Sequence, residues 1–66
     1  MKNNLKVQRA IHNLTQQDLA ERIGVSRQTI NALEAGKYVP STVLALKLAK
    51  LFDKTVNEIF ELEPED

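Results

Sequence analysis

The sharpest chemistry in the chain lies between Arg27 and Asn31. A guanidinium can meet guanine through two hydrogen bonds, and the carboxamide of a glutamine or asparagine can do the same with adenine. Arg27, Gln28 and Asn31 sit on a segment capped by Ser26, in which Ile30 and Leu33 lie three apart. With those two residues turned inward at about 100° per residue, Gln28, Asn31, Ala32 and Ala35 fall on the outer face, and Arg27 flanks it near the N-terminus. Ala32 has no bulk, so such a helix can sit deep in a groove or touch a thymine methyl. Gln16 and Gln17 open the preceding helix, where free amides and the positive dipole end suit a phosphate. Ser26 and Thr29 can donate to the same backbone, and Lys37 follows on the next loop. An ordinary polar helix surface can show the same side chains; the phased turn in front of them favours a reading surface.

Other chemistry finds little footing. There is no cysteine, which excludes disulfides, thiolate catalysis and thiolate metal sites. His12 is the only histidine and has no second ligand nearby in sequence, so a solvated helix-end residue is expected. Glu58, Glu61, Glu63, Glu65 and Asp66 read as a solvating acidic tail, since no rigid element converges them. No nucleophile–base pair and no phosphate-cradling glycine loop is present, so neither an enzyme nor a cofactor is expected.

These side chains need elements to position them, and the punctuation is helical throughout. Residues Asn4 to His12 include strong helix formers and contain no Gly or Pro. Thr15 opens a second helix, with Asp18 in its first turn, and Gly24 stops it. Gly24, Val25 and Ser26 make a tight corner into the third helix, which Gly36 ends. Two short helices joined by a turn of three or four residues containing glycine form a helix-turn-helix. Ala20 is placed where the two helices cross closely, and Val25 can plug the corner from inside. Lys37 to Pro40 is a loop. Ser41 caps a fourth helix carrying Val43, Leu44, Leu48, Leu51 and Phe52, and Thr55 to Glu58 is a capping box before Ile59 and Phe60. Glu61 to Asp66 is expected to be extended or frayed. The result is an all-α bundle of five helices.

At 66 residues the chain is one small domain, which buries roughly 60% of its unfolded surface. Hydrophobic residues at 42% and charged residues at 27% place it among globular rather than disordered chains. No apolar run reaches the roughly 20 residues that span a bilayer, and no secretory leader is evident, so a cytoplasmic, membrane-independent protein is expected. Nine basic and nine acidic residues cancel, but unevenly. Residues 1–37 hold Lys2, Lys6, Arg9, Arg22, Arg27 and Lys37 against Asp18, Glu21 and Glu34, a net +3. Residues 38–66 hold Lys47, Lys50 and Lys54 against Asp53, Glu58, Glu61, Glu63, Glu65 and Asp66, a net −3. The positive half contains the proposed reading head, and the opposing charge predicts modest affinity with a shallow salt slope.

The runs Leu14-Thr15-Gln16-Gln17, Leu19-Ala20, Gly24-Val25-Ser26-Arg27-Gln28-Thr29-Ile30, Glu34, Gly36-Lys37-Tyr38 and Pro40-Ser41 resemble the phage-repressor/Cro-like (XRE-type) DNA-binding domains. The resemblance covers Leu5 to Phe60 and is strongest to short stand-alone members of the cytolysin-repressor type. It implies a lambda-repressor-like five-helix bundle, with a short two-stranded pairing of the chain ends in some members. It implies one domain over 1–66, with the helix-turn-helix at about 16–35 and dimerisation through about 55–66. By that likeness Gln16 and Gln17 hold phosphate, while Arg27, Gln28 and Asn31 read base edges. Lys37 and Tyr38 touch the backbone just after the recognition helix. Arg9 and Glu34 form a structural ion pair. Val56, Phe60 and Leu62 are divided between core and dimer interface, with Leu62 the better interface candidate. Two departures stand out. Gln8 occupies a usually apolar place, so either helix one is rotated or Val7 and Ile11 form an exposed patch. Ala35 replaces the Asn common before Gly36.

The function expected is a non-enzymatic regulator that binds a palindromic double-stranded DNA operator as a homodimer, with repression favoured by analogy. No small-molecule ligand is evident. The alternative is an antitoxin-like module that binds a partner protein as well as DNA, with Glu61–Asp66 as its docking segment.

Overall fold

Hydroxyl side chains start four of the helices. Thr15, Ser26, Ser41 and Thr55 each adopt extended backbone and accept the amide three residues on, at Asp18, Thr29, Leu44 and Glu58. Each bond satisfies one orphan donor of a helical first turn. At Thr15 and Thr55 the bond is reciprocated by the carboxylate of Asp18 or Glu58, a complete capping box.

In the computed structural model, which describes residues 1–66, the elements run β1 (Lys2–Asn3), α1 (Leu5–Ile11), α2 (Gln16–Ile23), α3 (Arg27–Glu34), α4 (Thr42–Phe52), α5 (Val56–Ile59) and β2 (Phe60–Glu61). Helix α1 is slightly shorter than its sequence suggests and has no side-chain cap. Strand β1 pairs antiparallel with β2, Lys2 opposite Glu61 and Asn3 opposite Phe60. The backbone amide of Asn4 extends that closure to the carbonyl of Ile59 at 3.0 Å.

The core is built from one or more residues of every helix. Leu5, Leu19, Ile30, Leu33, Leu48 and Phe52 are its largest fully buried members, with Ala20, Ile23, Leu44, Ala49, Ile59 and Phe60 completing it. Gln8 is buried among them at 6% exposure, while Val7 and Ile11 are exposed. Helix α1 is therefore not rotated to bring its valine inward. Its Gln8 goes in, and Val7 and Ile11, on the neighbouring flank, stay in water. Val43, one of the recurring apolar residues of α4, is 63% exposed, because the inward phase of the helix runs through Leu44, Leu48, Ala49 and Phe52.

The end of the chain is more ordered than expected. Glu63 to Asp66 closes a turn in which the Glu63 amide donates to the Asp66 carboxylate at 2.8 Å. That turn lies against the Met1 amino group, 3.1 Å from Glu63 Oε1 and 3.2 Å from Asp66 Oδ2. No helix is long and apolar enough to cross a membrane.

Candidate nucleic-acid interface

Helix α2 ends on Gly24, whose backbone is left-handed at φ 77°. The carbonyl of Ala20 accepts both the Gly24 and the Val25 amides, at 2.9 and 3.0 Å, and the chain turns sharply there. Ala20 is 1% exposed, so its methyl sets the approach of α2 to its neighbours. Val25 packs against the core from within the corner. Helix α3 ends in the same manner, with Gly36 donating to Leu33 and Lys37 to Ala32, both at 3.0 Å.

With Ile30 and Leu33 buried, α3 turns Arg27, Gln28 and Asn31 to solvent, and Thr29 and Ala32 lie half-buried beside them. The three candidate base readers thus share one free face. Ser26 keeps its hydroxyl at home. It accepts the Thr29 amide and lies 3.0 Å from the Thr29 hydroxyl. Lys37 and Tyr38 are exposed just past α3. Ala35 is exposed at the C-cap of α3.

The two glutamines of α2 differ. Gln17 is exposed and donates along its own helix to Glu21 at 2.9 Å. Gln16 is half-buried and reaches across to α3, where its Nε2 lies 3.0 Å from Glu34 Oε1 and 3.5 Å from Asn31 Oδ1. Glu34 is also held by Arg9, whose Nε and Nη2 both donate to the carboxylate, the second at 3.1 Å. Arg9 Nη1 donates to the carbonyl of Leu14 at 3.0 Å. The Glu34 side chain is 7% exposed and that of Arg9 15%. Burial opposes ionisation of Glu34, but hydrogen bonds from Arg9 and Gln16 and the nearby positive charge outweigh it and hold the carboxyl below its ordinary value. The hydrogen bond to Glu34 pushes the Arg9 guanidinium above its own.

Asn3 went unnoticed in the sequence. Its Nδ2 donates to the Leu33 carbonyl at 2.7 Å, and its Oδ1 accepts the Leu5 amide at 3.1 Å. It ties the C-terminal end of α3 to the start of α1 across 30 residues, a separation at which no local pattern gives a signal.

The remaining predicted residues lie elsewhere. Phe60 is 6% exposed and belongs to the core of the single chain, and Val56 packs against that core half-buried. Leu62 is 76% exposed. An open groove beside Val56 and Phe60 is lined by Met1, Pro40, Ala45 and Leu46, and Leu46 is 57% exposed. His12 is exposed at the end of α1, its ring tilted at 55° to Phe52 and 5.1 Å from it.

Comparison with known proteins matches this arrangement. Residues 5–59 match the family model described as helix-turn-helix. The chain is 58% identical over 66 residues to an uncharacterized HTH-type transcriptional regulator of Methanocaldococcus jannaschii, with both chains covered in full. It is 47% identical to the uncharacterized HTH-type transcriptional regulator YgzD of Bacillus subtilis, again over the full length of both. A third, from Archaeoglobus fulgidus, is 46% identical over all of this chain and 93% of its own. A capped corner at Gly24, an outward-facing α3 and a match from Leu5 to Ile59 converge: the chain belongs to the helix-turn-helix family of phage-repressor/Cro-like (XRE) type.

Proposed function

We propose that the protein is a sequence-specific DNA-binding transcriptional regulator, acting by binding rather than by catalysis. The observation that carries this reading is the free face of α3, where Arg27, Gln28 and Asn31 stand together on a helix fixed at both ends. Arg27 suits guanine, and the two carboxamides suit base edges in the major groove. The N–H groups of Gln16 and Gln17 have no intrahelical acceptor in the first turn of α2, and with Lys37 and Tyr38 they suit the phosphate backbone. The names of the relatives, HTH-type transcriptional regulators, agree with it.

One chain carries one such helix, and a palindromic site offers two half-sites about 34 Å apart. A homodimer is the natural reader. The groove at Val56 and Phe60, with the exposed Leu46 on its wall, and the exposed Leu62 supply apolar surface for it. This surface lies in the half of the chain that carries net negative charge, which leaves the net positive half, with α3, for DNA. Repression by occluding polymerase at the bound operator is the mode of action proposed.

Selection of bound fragments from random double-stranded DNA, with light scattering for mass, tests the reading. Enrichment of a palindrome by a species of twice the chain mass is expected. Absence of any enriched sequence, or co-purification of a stoichiometric partner protein with no DNA preference, overturns it.

A further inference from the structure

The carboxylate of Glu34 dictates the hydrogen-bonding polarity of two side chains beyond it. Arg9 has donors only and stays charged, and it holds Glu34 through two nitrogens. Glu34 is therefore an ionised group that only accepts. The atom of Gln16 that faces it at 3.0 Å must be the amide nitrogen. That same nitrogen lies 3.5 Å from Oδ1 of Asn31, so Asn31 presents its oxygen inward; its own NH2 there would set donor against donor. With Oδ1 directed back at Gln16, the Nδ2 of Asn31 is left for the solvent face of α3.

We propose that Glu34 is a specificity-determining residue that acts without touching DNA: through Gln16 it fixes which end of the Asn31 carboxamide faces the groove. The inference rests on the base-reading role proposed above for Asn31. An outward NH2 donates to the acceptors of guanine (O6 and N7), adenine (N7) or thymine (O4). It meets only another donor at cytosine, whose major-groove edge offers its amino group. Asn31 in this setting discriminates against cytosine, whereas a freely rotating asparagine can present either end.

Random-DNA selection on the full chain and three variants tests this. Asn31→Ala identifies the base pair read by residue 31, and Arg27→Ala the pair read by residue 27. Gln16→Met keeps the bulk of Gln16 and the Arg9–Glu34 pair but removes the link. It is expected to reduce discrimination against cytosine at the residue-31 pair by about fivefold or more, the lower end of one good base contact. Preference at the residue-27 pair stays unchanged. Glu34→Gln, checked for folding by its thermal transition, is expected to broaden the same pair; if it does not fold, Gln16→Met decides alone. A uniform loss of affinity with unaltered ranking in Gln16→Met overturns the inference, as does an Asn31→Ala variant that changes no base pair. Failure of the wild-type chain to enrich any sequence is a distinct result and overturns the base-reading proposal itself.

Discussion

Arg9 on α1 and Glu34 at the end of α3 stand 25 residues apart in sequence and meet through two guanidinium nitrogens on one carboxylate. Both side chains are largely withdrawn from water. Removing one partner strands the other charge, which in buried pairs costs about 3–5 kcal/mol. Arg9→Met or Glu34→Leu alone is expected to lower the urea midpoint steeply. The double variant is expected to be more stable than either single one, because no charge is left behind. Urea unfolding of all four proteins gives the coupling directly.

Acid should weaken the fold through carboxylates whose folded pKa is depressed. Glu34 is lowered although burial opposes it, because Arg9 and Gln16 donate to it. Asp18 and Glu58 are lowered by the backbone amides of Thr15 and Thr55. In each case the unfolded chain binds protons more readily, so stability is fully present above the ordinary carboxylate value of about 4 and is lost as pH falls through the lower folded value. Thermal midpoints measured from pH 6 to pH 2 are expected to fall chiefly below about pH 4. Glu34→Gln should flatten part of that fall.

Gln8 gives the opposite expectation. It is buried at 6% exposure, and its carboxamide oxygen has no hydrogen-bond partner. An unsatisfied buried acceptor costs about 1–3 kcal/mol. Gln8→Leu is similar in size and should raise stability by an amount in that range, with DNA binding unchanged because α1 keeps its place.

Gly24 and Ala20 separate backbone from side-chain demands at the corner. A Cβ added at Gly24 meets nothing within 4 Å, yet its φ is 77°. Gly24→Ala is expected to cost about 1 kcal/mol from the left-handed backbone alone, and Gly24→Asn less. Ala20→Leu forces bulk into a site with 1% exposure, where overpacking costs about 1–3 kcal/mol. Thermal unfolding ranks the three, and Ala20→Leu should also weaken DNA binding by displacing α3.

On the proposed interface, Arg27→Ala should cost about 1–3 kcal/mol of binding and relax preference at one base pair. Lys37→Ala should weaken all sequences alike and reduce the salt slope by about one. Titration against the selected site and a scrambled one, at several salt concentrations, distinguishes the two.

Much of the molecule was legible because it is written locally. Thr15, Ser26, Ser41 and Thr55 marked four helix starts by hydroxyl chemistry that acts over three residues. Gly24 and Gly36 marked two ends by conformational freedom. Ile30 and Leu33 set the phase of α3 and so exposed Arg27, Gln28 and Asn31. The same closure also ends α1 at Asn13 (φ 55°) and α4 at Asp53 (φ 54°); these were less visible because asparagine and aspartate enter the left-handed region only as one use among several.

The sequence by itself determined the helices, the corner between α2 and α3 and the outward face of α3, since each follows from spacing within one or two turns. Only the tertiary structure decided that Gln8 rather than Val7 enters the core and that Phe60 is consumed by the single chain. It also decided that Asn3 holds the end of α3, and that Gln16 joins the carboxylate of Glu34 to the side chain of Asn31. These are meetings between residues far apart in the chain. They depend on how whole helices settle against one another, and no periodicity along the backbone records them.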